Sequence, residues 1–136
     1  MVETKEIVKI AKKYSLKMIL LFGSRANGKG NQYSDFDIAF IAEKELGVNE
    51  KISLNTDLIS IFECDEIDLV DLRKTDDPIL IYEISQNCKL LYGEKEELDK
   101  FKIFAFRYYM DHEPLFKLQR AIAEKNQMYL KDIISK

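Results

Sequence analysis

The sequence contains few of the residues that build metal-stapled, disulfide-bonded or nucleic-acid-binding domains. Its 136 residues include two Cys, one His and no Trp, and its 24 Asp plus Glu slightly outnumber its 21 Lys plus Arg. Cys64 and Cys88 form no C-x-x-C pair and have no His nearby, which excludes a zinc site and a redox motif built from them. A net charge of −3 at pH 7 disfavours a domain that grips a phosphate backbone, so we expect no direct nucleic-acid binding.

Long apolar runs are absent too. The longest continuous ones, such as Met18 to Phe22, are far shorter than the roughly 20 residues of a membrane-spanning helix. The first residues alternate in charge and do not lead into an apolar signal core, so we expect a cytoplasmic protein that does not enter a membrane. With 46% hydrophobic residues, the chain can form one compact domain over 1–136.

The spacing of apolar residues predicts an α+β fold, in which a small mixed sheet has helices packed against it. The predicted helices span 3–14, 46–62 and 79–85, and the predicted strands span 18–22, 35–42, 66–72 and 89–92. These elements form a core of about 5–93, and two further helices, separated near Pro114, cover about 94–135.

A polar, glycine-containing segment follows the first strand. Gly23 to Gly30 nearly matches the phosphate-binding loop G-x-x-x-x-G-K-[ST], but Gly30 stands where that loop needs a hydroxyl group, and a strand follows it where that loop needs a helix. Independently of that motif, Gly23 allows a sharp turn, so that backbone N–H groups and the Ser24 hydroxyl can point at an anion, with Arg25 adding positive charge. We therefore expect Gly23, Ser24 and Arg25 to bind phosphate groups.

Two carboxylates follow this segment at the start of the second strand. Asp35 and Asp37 are two residues apart and project from the same strand face, where a divalent cation such as Mg²⁺ would relieve their repulsion. The alternative is a pair of solvated aspartates at a strand end. Asp68 on the third strand supplies a third acid, because a carboxylate between Ile67 and Leu69 is costly to bury without a role. Asp71 is a weaker candidate, since it lies on the opposite face and near the strand end, where a solvated carboxylate costs little.

These residues resemble a known family. The pattern Leu21-Phe22-Gly23-Ser24-Arg25-Ala26-x-Gly28, with Ser34-Asp35-x-Asp37-Ile38 ten residues after Ser24, is similar to the signature of the minimal nucleotidyltransferases of the polymerase-β-like superfamily. The segment from Ile67 to Leu72 resembles the strand that carries that family's third carboxylate. In length and in its helical tail, the chain most resembles the MntA-type antitoxins, which are encoded with HEPN-domain toxins.

The resemblance implies an enzyme that binds ATP with Mg²⁺, as two ions, and transfers AMP to a hydroxyl group, a tyrosine of the partner toxin. Gly23 and Ser24 would hold the nucleotide phosphates, and Asp35 and Asp37 would bind the metal. Asp68 would complete the metal site and assist deprotonation of the acceptor. One departure is visible, because Asn27 stands where many members carry Arg, with Lys29 as the nearby cation.

Three questions stay open at this stage. A binding-only antitoxin that blocks its partner by occlusion, or a nucleotidyltransferase acting on a small molecule, would carry the same carboxylates. The aromatic residues of the C-terminal third, together with Arg107 and Arg120, fit both core packing and docking to the toxin. The sequence also leaves open a homo- or hetero-oligomer.

Overall fold

The computed structural model describes residues 4–23, 26 and 36–135, with side chains described to residue 127. Within these residues the chain forms strands and helices close to the predicted ranges, and the predicted α+β fold is confirmed. The elements in chain order are α1 (Thr4–Lys13), β1 (Leu16–Phe22), β2 (Phe36–Ala42), α2 (Val48–Phe62), β3 (Ile67–Asp71), α3 (Pro78–Gln86), β4 (Cys88–Tyr92) and α4 (Lys95–Ser135).

The strands form one mixed sheet in the order β3-β2-β1-β4. β1 is antiparallel to both β2 and β4, whereas β2 and β3 are parallel. Parallel neighbours need a crossover connection, and α2 supplies it between β2 and β3. The strands β3 and β4 are therefore the two edges of the sheet.

Helices cover both faces of the sheet, because strand residues alternate between the two sides. Residues such as Ile19, Ile38 and Phe40 pack under α1 and α2, with Leu54 and Leu58 of α2 buried against them. On the other face, Met18, Leu20 and Ala39 pack against α3 and α4, with contacts that include Ile81, Ile84, Phe101 and Ala105. α3 begins at Pro78, where the Asp77 carboxylate caps it by accepting the N–H groups of Ile79 and Leu80.

The predicted pair of C-terminal helices is wrong, because α4 continues through Pro114 as one helix. A proline inside a helix removes one hydrogen bond and costs about 3 kcal/mol. Contacts between the turns on either side offset part of this cost. The rings of Tyr109 and Phe116 lie 6.1 Å apart, and Glu113 forms a 3.4 Å ion pair with Lys117. These contacts join residues four and seven positions apart, so an argument from the helix-breaking tendency of proline alone missed them.

Two further features bear on the class of protein. In the part of the chain that the structure describes, no helix has the length and apolar character needed to cross a membrane. Cys64 and Cys88 are free thiols and both are half-buried.

Candidate active site

The structure places Asp37 and Asp68 next to each other on neighbouring strands. Asp37 is the second residue of β2 and Asp68 the second residue of β3, and the parallel register pairs them directly. Neighbouring strands lie about 4.8 Å apart, and paired residues project from the same face. Two of the three predicted metal ligands are thus brought together, while the third, Asp35, lies outside the described residues, as do Ser24 and Arg25.

Gly23 lies against the Asp37 carboxylate. It follows directly after β1, whose last residue, Phe22, pairs with Asp37. Its φ of 77° belongs to the left-handed region that residues with a side chain rarely adopt. A Cβ atom at Gly23 would overlap Asp37 Oδ2 and lie 3.2 Å from its Cγ. Glycine at this position therefore lets the turn after β1 approach the carboxylate.

The two carboxylates belong to a row of side chains that crosses the sheet on the face of α3 and α4. The register places Asp68, Asp37, Phe22 and Cys88 side by side on successive strands. Asp68 at one end of the row is exposed, whereas burial raises the pKa of the Cys88 thiol at the other end. The row is open to solvent on the β3 side of the sheet.

The burial argument that favoured Asp68 over Asp71 is wrong. Asp68 is exposed, whereas the Asp71 side chain is only 9% exposed. Asp71 forms a 3.1 Å ion pair with Lys51 and accepts the Arg73 backbone N–H. A short strand at the sheet edge exposes its first residues, and α2 covers the face on which Asp71 lies. Asp68 remains the candidate because its register places it beside Asp37, which burial alone did not reveal.

The described residues include two carboxylates of the predicted metal site. Among them, no three His, Cys, Asp or Glu side chains lie close enough together to hold a metal ion. Mg²⁺ is commonly bound by one or two carboxylates, with water and substrate phosphates completing its coordination. The adjacent Asp37 and Asp68 fit that donor set.

Sequence reasoning missed a cleft on the opposite face of the sheet, between α2 and β3. It has a volume of about 520 Å³ and lies beside Phe40, Leu69 and Asp71 of the two strands. Val48 and Ile52 of α2 are 74% and 60% exposed at this cleft. The sequence feature that could have predicted this cleft is the number of apolar residues in α2, which is larger than one buried helix face accommodates.

Comparison with known proteins identifies the class to which this fold and site belong. A family model described as polymerase beta, nucleotidyltransferase matches residues 5–97, which is more than half of the chain. The chain therefore belongs to the polymerase beta nucleotidyltransferase family, as the residues of the glycine turn and the two-aspartate strand predicted.

Particular relatives are more specific. Over 94 residues the chain is 32% identical to the protein adenylyltransferase MntA of Shewanella oneidensis, an alignment that covers 69% of this chain and 66% of that protein. It thus aligns with just under two thirds of the length of this curated relative.

Solved structures with a similar fold include chains from toxin-antitoxin complexes. A chain from a crystal structure of a toxin-antitoxin with AMP-PNP is 26% identical, with a TM-score of 0.74 and coverage of 93% of this chain and 99% of that chain. A chain from the complex of a tri-AMPylated Shewanella oneidensis HEPN toxin with the MNT antitoxin is 25% identical, with a TM-score of 0.67 and coverage of 91% and 95%.

Proposed function

We propose that this chain is an antitoxin that transfers AMP from ATP to a hydroxyl group of a HEPN-domain toxin. The observation that carries the proposal is the pairing of Asp37 with Asp68 beside the Gly23 turn, in a chain of the polymerase beta nucleotidyltransferase family. The activity named for the MntA relative and the AMPylated toxin of the structural neighbour support this choice of donor and acceptor.

The proposed roles combine the family motif with the positions of Gly23, Asp37 and Asp68. Asp37 and Asp68, with Asp35, would hold Mg²⁺, as two ions, and Gly23, Ser24 and Arg25 would bind the phosphates of ATP. When bound, Mg²⁺ would stabilise the charge that develops on the attacking and leaving oxygens of an in-line displacement. Because Gly23 has no side chain, the phosphate-binding turn can lie directly against the Asp37 carboxylate.

We assign the proton of the acceptor to Asp68. It is exposed at the open end of the row, so an incoming hydroxyl group can reach it. In the proposed step the acceptor oxygen forms a bond to the α-phosphorus of ATP, the bond to the leaving oxygen breaks, and pyrophosphate departs. The hydroxyl proton passes to the Asp68 carboxylate.

The outer face of α4 supports a protein partner. The helix keeps Phe101 and Ala105 buried but exposes seven large apolar side chains, namely Ile103, Phe104, Phe106, Met110, Leu115, Leu118 and Ile122. An exposed apolar patch of this kind commonly marks an interaction surface. We propose that this face contributes to toxin binding. A cytoplasmic location fits a reaction that draws on cellular ATP and stays a prediction.

Intact mass spectrometry tests the proposed reaction. The purified chain is incubated with Mg²⁺, ATP and its cognate HEPN-domain protein, in parallel with Asp37→Asn, Asp68→Asn and the control Asp99→Asn. Asp99→Asn removes the same charge from an exposed position on α4. We expect the partner to gain one AMP unit or a small multiple with the wild type and with Asp99→Asn, and at least about 100 times more slowly with the other two variants.

Two results would contradict the proposal. A wild-type complex that forms but never gains mass would favour inhibition by occlusion. Transfer that survives both Asp37→Asn and Asp68→Asn would show that other residues carry the reaction.

A further inference from the structure

Among the described residues, no strand pairs with the outer edge of β3. In a parallel ladder, alternate residues direct both their N–H and C=O groups towards the neighbouring strand. The Leu72 N–H donates to the Phe40 carbonyl oxygen at 3.0 Å, which fixes this alternation along β3. Asp68 and Val70 therefore bond to β2, while the main-chain groups of Leu69 point outwards. Ile67 has the same orientation but is only 4% exposed.

Some of the features that prevent strand addition are missing at this edge. Proteins protect sheet edges with short strands, charged side chains such as lysine, proline or β-bulges. The charged residues of β3 are Asp68 and Asp71, and Asp71 is paired with Lys51. The strand Ile67–Asp71 contains neither Pro nor Lys and pairs with β2 without a register shift. An extended peptide could therefore continue the sheet beyond β3.

One face of an added strand would meet the proposed active site. Residues directly opposite each other on neighbouring strands have Cβ atoms about 4.5 to 5.5 Å apart. A residue opposite Asp68 would extend the row of Asp68 and Asp37 by one strand, on the same face of the sheet. Its side chain would be the one closest to the carboxylate that we propose as proton acceptor.

The other face of an added strand would meet the cleft between α2 and β3. Its neighbouring residue, opposite Leu69, would point towards Leu69, Val48 and Ile52 in the cavity of about 520 Å³. The charged residues at this cleft are already paired, as Lys51 with Asp71 and Lys74 with Glu45, so the remaining surface suits an apolar side chain.

A buried hydrogen-bond acceptor also lies beside this cleft. Asn55 lines it, and its Oδ1 atom is buried and has no hydrogen-bond partner among the described residues. A buried acceptor without a partner is costly, so rotation of the Asn55 side chain towards a donor of a bound peptide would stabilise the complex.

We propose that the acceptor segment of the partner protein binds as an extended strand along the free edge of β3. Its hydroxyl-bearing residue lies opposite Asp68, and an adjacent apolar residue enters the cleft between α2 and β3. Main-chain hydrogen bonds then supply affinity, and the cleft supplies selectivity for the residue beside the acceptor. This inference rests on the proposed transfer of AMP to a protein hydroxyl group.

A proline substitution tests the main-chain contact. Leu69→Pro removes an N–H that points away from β2 and so leaves the inner ladder intact, as proline does at natural sheet edges. Leu69→Ala is the matched control, because it also shortens the side chain but keeps the N–H. We expect Leu69→Pro to transfer AMP to the HEPN-domain protein at least about tenfold more slowly than Leu69→Ala, with equal binding of AMP-PNP by the two variants.

The results separate this inference from the proposed function. No transfer by the wild type contradicts the proposed function itself. Transfer by the wild type with equal rates for Leu69→Pro and Leu69→Ala contradicts binding at the β3 edge and leaves the reaction standing.

Amide hydrogen exchange gives a test that needs no variant and remains decisive if Leu69→Pro fails to fold. In the free protein, we expect the Leu69 amide to exchange faster than those of Asp68, Val70 and Leu72. Binding of the HEPN-domain protein should slow exchange at this outward amide specifically. Unchanged exchange of the outward-pointing β3 main chain in a saturated complex would overturn the inference. The inference would also be overturned if this main chain were already protected in the free protein by self-association through β3, which sedimentation would detect.

Discussion

The two edge strands of the sheet, β3 and β4, differ in residue content and in how regularly they pair. At β3 the edge strand has no Lys, no Pro and no register shift, and it carries the exposed Asp68. At β4 the pairing with β1 shifts between Ile19 and Leu20, and the strand carries an exposed Lys89. The lysine and the register shift thus lie on the edge away from the carboxylates, which supports the proposal that the acceptor segment of the partner binds at the β3 edge.

The largest effect is expected from a substitution that disturbs the carboxylate row itself. Gly23→Ala places a Cβ atom on Asp37 Oδ2 and strains a φ of 77°, so the carboxylate must move. We expect AMP transfer to fall by about 100-fold or more, since a misplacement of about 1 Å can cost that much. The mass gain of the HEPN-domain protein over time measures it.

Gly93→Ala is the matched control at the far end of the sheet. Its φ of 117° is equally unsuited to alanine, and the added Cβ would lie 2.9 Å from the Lys17 carbonyl oxygen. Both variants should lose about 1 to 2 kcal/mol of stability in thermal unfolding. If Gly93→Ala slowed transfer as much as Gly23→Ala at a temperature where both are folded, general strain would explain the result and the role of Gly23 beside Asp37 would be lost.

A smaller effect is expected at the cleft beside β3. Val48→Lys and Ile52→Lys place a charge where we propose that an apolar side chain of the partner binds. Because both positions are exposed, neither change should lower the free energy of unfolding by more than about 0.5 kcal/mol. We expect each to raise the Kd for the HEPN-domain protein about tenfold, measured by calorimetry.

Ser53→Lys serves as the control for these two variants, because Ser53 is exposed on α2 and does not line the cleft. Equal weakening by Ser53→Lys would indicate a general charge effect in place of a specific contact.

The β4 edge should be less accessible to solvent than the β3 edge, and the reactivity of the Cys88 thiol tests this. Burial raises the pKa of this thiol, and its Sγ atom lies 3.9 Å from the Ser85 carbonyl oxygen. Because the thiolate is the reactive form, we expect Cys88 to react several-fold more slowly with a disulfide reagent at pH 8 in the folded protein than after denaturation. The Cys64→Ser background isolates this thiol, and equal rates in the two states would show that the β4 side is open.

The smallest effect concerns the link between α1 and α2, which cover the same sheet face. Asp57 of α2 accepts hydrogen bonds from Lys13 at 2.8 Å and from the Tyr14 hydroxyl at 2.6 Å. The hydrogen bond from Lys13, and next that from Tyr14, lowers the pKa of Asp57. The stability that the ionised Asp57 carboxylate contributes is therefore fully present above its unfolded-state pKa of about 4. This stability is lost as the pH falls through the lower pKa of Asp57 in the folded protein.

Denaturant unfolding at two pH values tests this link. Lys13 is largely exposed, so we expect Asp57→Asn to cost no more than about 1 kcal/mol at pH 6, and this difference from the wild type to shrink towards pH 3. A cost of the same size at both pH values would show that the ion pair contributes nothing measurable.

Much of the fold was predictable because its signals are local. The alternation in β2, the helical spacing in α1 and the Asp77-Pro78 helix start each depend on residues a few positions apart. The continuity of α4 through Pro114 was not predicted, because the helix-breaking tendency of proline was considered without the ring contact and the ion pair that offset part of its cost.

The candidate site shows a similar division. The residue types and their spacing pointed to Asp37 and Gly23, and the structure shows how closely these two residues pack. The reason for choosing Asp68 over Asp71 failed because burial depends on where α2 lies over the sheet, which no local pattern contains. Strand register, also a long-range property, is what places Asp68 beside Asp37.

The position of the bound divalent cation tests the central claim most directly. Mn²⁺, which accepts the same oxygen ligands as Mg²⁺, is titrated with AMP-PNP into ¹⁵N-labelled protein, and the paramagnetic broadening of amide signals is recorded. We expect the signals of Phe22, Asp37 and Asp68 to broaden first, and those of Lys17 and Gly93 last. Broadening centred on Asp71, or spread evenly over the sheet, would contradict the assignment of the metal site to the carboxylate row.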